Sequence, residues 1–168
     1  ALTEWPRDQV LLVRAEPEVA WGINDRTELA RAERVIRERI LRRHMLAGVT
    51  IVEPASTWID ADVTIGQDTR IEPGTTLRGR TTIGAGCRLG PQTVIEDAVL
   101  GDDVTIRASW IEQSEIGNGT DIGPYSHLRP GVRLAAHVHV GNYVEMKNAR
   151  VGTGTQVGHV SYLGDAEI

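Results

Sequence analysis

From residue 59 to the end of the chain an aliphatic residue returns every six positions, and this period constrains the fold more than any other feature of the 168-residue sequence. Ile59, Ile65, Ile71, Leu77, Ile83, Leu89 and Ile95 keep the interval without a slip. After several five-residue steps it resumes at Ile116, Ile122, Leu128, Leu134, Val140 and Met146, and the tail reads Val151, Val157, Leu163, Ile168. Four positions after most of these stands a small or β-branched residue, among them Thr69, Thr75, Thr81, Cys87, Thr120 and Ser126, and one position after many stands a glycine. So persistent a two-position code predicts a stacked solenoid of short strands. The absence of Phe and the 18 glycines fit a narrow core with no room for large rings.

Composition excludes several function classes. A formal net charge of −5 disfavours general binding to nucleic acid or to an anionic membrane. No apolar stretch reaches the roughly 18 residues that span a bilayer, and the first residues lack the layout of a signal peptide. Cys87 is the sole cysteine and falls at a small-residue position of the repeat, so a reducing, cytoplasmic setting is expected. The chain starts at Ala1 and stops at Ile168, where a repeat unit opens, so both ends read as cuts through a larger protein.

Residues 1–24 hold one strand-like apolar run, Val10 to Val13, and are too short to enclose a core. They read as the remnant of a preceding domain. A linker helix is expected over 25–48, with Asp25 as N-cap, Glu28 at capping-box spacing and Gly48 as the stop. Leu29, Ala32, Ile36 and Ile40 would form its apolar face. Arg31, Arg34, Arg37, Arg39, Arg42 and Arg43 would lie around a solvated remainder, supported by Glu33 before Arg37 and Glu38 before Arg42.

The repeat region, 49–168, resembles hexapeptide-repeat proteins, which implies three six-residue units per coil and a triangular cross-section. On that geometry the aliphatic residue points inward, its successor outward, and residues one coil apart stack about 4.8 Å from each other. Arg129 and Lys147, 18 apart, then stack on one outer edge. Like charges so close repel unless something such as a bound dianion compensates them. Lys147 is also the single lysine among 18 basic residues, and an ammonium is a compact point charge rather than a planar fork. Glu145, and Tyr162 one coil on, should stack beside the same corner, with His159 in the outward turn of the last coil. A histidine has an unperturbed pKa of about 6.5, which suits it to take a proton near neutrality. His137 and His139 alternate on one strand and, with His159, invite a zinc reading, but no carboxylate or further histidine falls at a spacing that compels it.

Three longer motifs are more specific. Leu-Arg-Pro-Gly at 128–131, Val-Gly-Asn-Tyr-Val-Glu-Met-Lys-Asn-Ala at 140–149 and Gly-His-Val-Ser-Tyr-Leu-Gly-Asp-Ala-Glu-Ile at 158–168 closely resemble the bacterial bifunctional GlmU family. These enzymes are glucosamine-1-phosphate N-acetyltransferases and N-acetylglucosamine-1-phosphate uridyltransferases of cell-wall precursor synthesis. Glu-Val-Ala-Trp-Gly-Ile-Asn-Asp-Arg at 18–26 and the linker helix match as well.

The resemblance implies a mainly β protein, a left-handed parallel β-helix preceded by a linker α-helix and the remnant of an α/β nucleotidyltransferase domain. It also implies a homotrimer with acetyl-transfer sites between subunits. Arg129 and Lys147 would hold the sugar phosphate and Tyr162 would fix the sugar, while stacking alone puts Glu145 beside them. His159 would be the general base, acetyl-CoA the co-substrate, and Asn24 would match an asparagine that helps hold Mg²⁺ in the uridyltransferase half. The family's Gly-rich nucleotide loop and its Asn-Tyr-Asp-Gly motif with the coenzyme A-binding coils do not occur here. This chain is therefore expected to carry only the acceptor side of acetyl transfer. The alternatives are a trimerising scaffold without catalysis, or the repeat domain of a related sugar nucleotidyltransferase.

Overall fold

The computed structural model describes residues 13–168, so positions 10–12 of the expected strand-like run lie outside the described residues. Two compact units follow one another along the chain, the first ending at Val35 and the second covering Ile36–Ile168.

In the first unit a short 3-10 turn, Pro17–Ala20, precedes the start of helix α1, Arg26–Leu46. Asp25 caps the helix as its sequence context predicts: Oδ1 accepts from the backbone N–H groups of Thr27 and Glu28, each at 2.8 Å, and from the Thr27 hydroxyl. Glu28 reaches back to the Asn24 N–H at 2.6 Å, one residue beyond the N-cap N–H that a capping box would use. The Thr27 hydroxyl and the helix N–H groups hold the Asp25 carboxyl below its ordinary value, and the Asn24 N–H does the same for Glu28. The Arg31 guanidinium lies 4.0 Å above the Trp21 ring centroid.

In the second unit the helix buries a different stripe from the expected one. Leu41 and His44 are buried and Ile40 partly so, whereas Ile36 is 56% exposed and Leu29, in the first unit, 37%. Two arginines assigned to the solvated side also reach the first coil, Arg37 partly buried and Arg43 still exposed. Arg37 sits 4.4 Å over the Trp58 ring and donates from Nη1 to the Ala55 carbonyl, and Arg43 Nη2 donates to the Ala61 carbonyl at 2.9 Å. The reason lies in the first coil. Its carbonyls have no coil below them to accept from, and long guanidinium side chains supply the missing donors.

Beyond the helix, which ends before Gly48 in the left-handed conformation at φ 92, the chain winds into about seven turns of a parallel β-helix. Its three flat faces are parallel sheets of seven, seven and six short strands. Face A carries every third strand from Thr50–Ile51 to Gln156–Val157, face B those from Trp58–Ile59 to Tyr162–Gly164, and face C those from Thr64–Ile65 to Arg150–Val151. The six-residue code maps directly onto this. Ile71, Leu77, Leu89, Ile95, Ile122, Leu128 and Met146 are fully buried along the axis. The five-residue steps at Ile95, Ile111, Met146 and Leu163 all fall at the corner that follows a face B strand; the one at Ile106 follows face A.

The small residues four positions on are buried at the corners, where their hydroxyls bridge successive coils. Thr69 Oγ1 donates to the Gly84 carbonyl at 2.9 Å and accepts from the Cys87 N–H at 3.1 Å, and Ser126 repeats the pattern with Gly141 and Val144. Burial pushes the Cys87 thiol above its ordinary pKa, consistent with a packing role. Among the described residues no helix is long and apolar enough to cross a membrane.

Candidate functional site

The three faces differ in what they can present to solvent. On face C the residue after each inward aliphatic is small: Gly66, Gly84, Gly101, Gly117, Ala135, Gly152. A Cβ at Gly66 would lie 2.5 Å from the Ala85 backbone nitrogen, so the winding leaves no room for a side chain at that position. Face A is glycine at most of the same positions. On face B they run Asp60, Arg78, Glu96, Glu112, Arg129 and Lys147 before Gly164, so at these positions face B carries a continuous row of charged side chains.

The expected cluster lies at the upper end of this row. His127 and Leu128 pair in register with Glu145 and Met146, which puts Arg129 one rung below Lys147. Glu145 and Lys147 pair in turn with Tyr162 and Gly164. Arg129, Glu145, Lys147 and Tyr162 are thus brought together on adjacent rungs of one surface. Arg129 differs from the expectation in one respect: it is already compensated, with Nη1 3.0 Å from Glu145 Oε1, both side chains being a little under half exposed. Lys147 forms no ion pair among the described residues. Tyr162 is 64% exposed.

His159 is exposed in the turn between the strands Gln156–Val157 and Tyr162–Gly164, three residues before Tyr162. The Ser161 hydroxyl braces this turn by donating to the Gly158 carbonyl at 3.1 Å, and the Val160 N–H donates to the Asn142 carbonyl of the coil below. The backbone nitrogen of His159 lies where a Cβ on Gly141 would be only 3.1 Å away. Lower on the same corner, Tyr125 and Tyr143 stack at 5.3 Å between ring centroids.

Neither metal reading gathers a ligand set. His139 Nδ1 is 2.8 Å from Asp121 Oδ2, His137 occupies a corner at φ 57, and among the described residues no three His, Cys, Asp or Glu side chains assemble. Asn24 stands in the first unit beside Asp25 and Glu28, whose carboxylates are engaged at the helix start. One amide with two committed carboxylates does not fit a Mg²⁺ site, so no chemistry here is routed through that ion.

The structure adds a pair that the sequence reading passed over. His127 Nε2 lies 2.7 Å from Glu112 Oε2, and the Trp110 ring flanks the imidazole at 6.2 Å between centroids. The signal was present: His127 precedes an inward leucine on the same face as Arg129 and is one rung below Glu145.

The family described as the GMPPB C-terminal domain matches residues 52–151. The bifunctional protein GlmU of Geobacillus sp. (strain WCH70) is 50% identical over 147 residues, which cover 88% of this chain and 32% of that protein. GlmU of Streptomyces avermitilis is 49% identical over the same share of this chain and 30% of its own length. The chain thus spans about a third of the length of the curated relatives it matches. Among solved structures, the acetyltransferase domain of PglB from Neisseria gonorrhoeae FA1090 superposes with a TM-score of 0.62 at 17% identity, over 74% of this chain and 62% of that one. The same domain in complex with acetyl coenzyme A gives a TM-score of 0.56 at 16% identity, with the same coverage. At these identities the likeness is one of fold.

Proposed function

The chain belongs to the family of the GMPPB C-terminal domain, and from that premise we propose that it carries the acceptor side of an acetyl transfer from acetyl-CoA to glucosamine-1-phosphate. The observation that carries this reading is the row Arg129, Glu145, Lys147 and Tyr162 on adjacent rungs of face B, with a histidine in the adjoining turn. A second, independent support is the 50% identity to GlmU over nearly the whole chain.

Each residue then has a role set by its chemistry. Arg129 and Lys147 hold the phosphate, the first through directed N–H groups and the second as a point charge. Tyr162 and Glu145 orient the sugar. His159 accepts a proton from the C2 ammonium, and the freed nitrogen lone pair attacks the thioester carbonyl carbon. The tetrahedral oxyanion collapses, the carbon–sulfur bond breaks, and the sulfur leaves as the thiolate of coenzyme A, which takes up the second proton that the nitrogen gives up as it becomes the neutral amide of the N-acetyl product. Assembly as a homotrimer, in the cytoplasm, would bring a neighbouring subunit to each site. Uridyl transfer with Mg²⁺, the second activity the resemblance implies, we assign to the two thirds of the relatives' length that this chain does not span.

The test is an acetyl-transfer assay with both substrates, on this chain and on His159→Ala, beside calorimetric titration of glucosamine-1-phosphate into the chain and into Lys147→Ala. A lost proton acceptor costs about 10²–10⁴-fold in rate. A chain with no affinity for glucosamine-1-phosphate would reduce it to a scaffold and sink the proposal.

A further inference from the structure

The charged row on face B contains an arrangement that its own register does not favour. Reading up the rungs, Arg78, Glu96, Glu112, Arg129 and Lys147 set two carboxylates directly below two cations. With rungs about 4.8 Å apart, Glu112 and Arg129 are the adjacent opposite charges at the centre, and an ion pair between them is the simplest outcome. The structure holds neither in that pair. Glu112 Oε2 is taken by His127 Nε2 at 2.7 Å, and Arg129 Nη1 turns the other way, to Glu145 Oε1 at 3.0 Å. Glu96 is no competitor for Glu112, being a like charge that faces Arg78 at 4.0 Å.

The His127 contact has a defined sense. An ionised carboxylate only accepts, so Nε2 carries the proton in this bond. Trp110, opposite His127 in register and tilted 51° to its ring, limits where the imidazole can go. Exposed ion pairs are weak and readily exchanged, so a carboxylate at Glu112 without its histidine would compete with Glu145 for Arg129, with the register of the rungs in its favour.

We propose that His127 is a positioning residue: by occupying Glu112 it keeps that carboxylate from capturing Arg129, and so leaves the guanidinium directed up the row toward Glu145 and Lys147. The inference rests on the acceptor reading of Arg129 and Lys147, and assigns to His127 no contact with substrate.

The prediction is a pattern of rescue. Glucosamine-1-phosphate is titrated into the chain, His127→Ala, Glu112→Gln and the double variant. His127→Ala should weaken binding about threefold to tenfold, the size of coupling expected between contacting side chains. Glu112→Gln alone, and the double variant, should stay within about twofold of the parent, because an uncharged amide no longer draws the guanidinium. Unchanged affinity in His127→Ala, or a loss that persists in the double variant, would overturn the proposal; the latter would mean that the imidazole acts directly or only structurally. A second readout needs no ligand. The Arg129 Nε–H resonance, assigned by its absence in Arg129→Lys, should move in His127→Ala and return in the double variant, and a resonance that stays put would also overturn it. Should the parent chain fail to bind the sugar phosphate, the acceptor reading falls, while the resonance still decides the role of His127.

Discussion

Arg129 and Lys147 occupy adjacent rungs of face B, and of the two only Arg129 is compensated among the described residues, by Glu145 at 3.0 Å. A stacked pair of cations with one uncompensated member is what a phosphate would complete. Lys147→Ala is therefore expected to weaken glucosamine-1-phosphate about tenfold to hundredfold, the worth of a charge-assisted contact. Folding stability should change by less than about 0.5 kcal/mol, since the side chain is exposed and away from any cap or core. Calorimetric titration beside a denaturant melt measures both; a stability loss matching the affinity loss would mean that Lys147 holds the coil together instead.

The placement of His159 depends on a glycine one coil below. In Gly141→Ala the new methyl would stand 3.1 Å from the His159 backbone nitrogen, so the turn must shift by a few tenths of an ångström. Small displacements of a reacting group lower turnover, here by roughly threefold to tenfold in kcat with KM for the sugar phosphate little changed. Gly158 is the control, because a Cβ there meets nothing within 4 Å, and Gly158→Ala should be neutral. Equal kcat values for the two variants would count against His159 as the base.

The buried corner hydroxyls are a stability device. Ser126 is 3% exposed, donates to the Gly141 carbonyl at 2.7 Å and accepts from the Val144 N–H at 3.1 Å. Ser126→Ala leaves both backbone groups short of a partner and should cost about 2 kcal/mol in chemical denaturation. A cost under about 0.5 kcal/mol would show that the coils satisfy each other without the hydroxyl.

How much of this was legible beforehand depends on which physical link is asked about. Winding is a periodic property, so the inward row and the stacking of Glu145 under Tyr162 follow from spacing once three units per coil are assumed. Rotamer choice among several neighbours is not periodic. Register alone favours Glu112 against Arg129, and the observed diagonals to His127 and Glu145 emerge only when every side chain competes at once. The helix misled for a related reason. Leu29, Ala32, Ile36 and Ile40 make the better apolar stripe, but what the first coil offers is open carbonyls, and Arg37 and Arg43 answer those. The sequence shows the apolar face of a helix more readily than the polar needs of what it meets.

His44 gives the second unit a pH dependence of predictable sign. It is 5% exposed in the last turn of α1, and burial first, then the neighbouring Arg43 charge, lowers its pKa from the ordinary 6.5. The unfolded chain therefore binds a proton near pH 6.5 that the folded chain refuses. The contribution of a neutral His44 is fully present above that pH and is lost as pH falls below it, until the lowered folded value is reached. Stability of the chain and of His44→Leu, which cannot protonate, should be compared by denaturant melts between pH 8 and 5. The difference should be constant from pH 8 to about 7 and shift in favour of the variant below about 6.5. A difference that stays flat to pH 5 would mean that the imidazole keeps its proton on folding, and that the groove beside it, lined by Arg43, Ala47, Ala61 and Val63, admits enough water to solvate the charge.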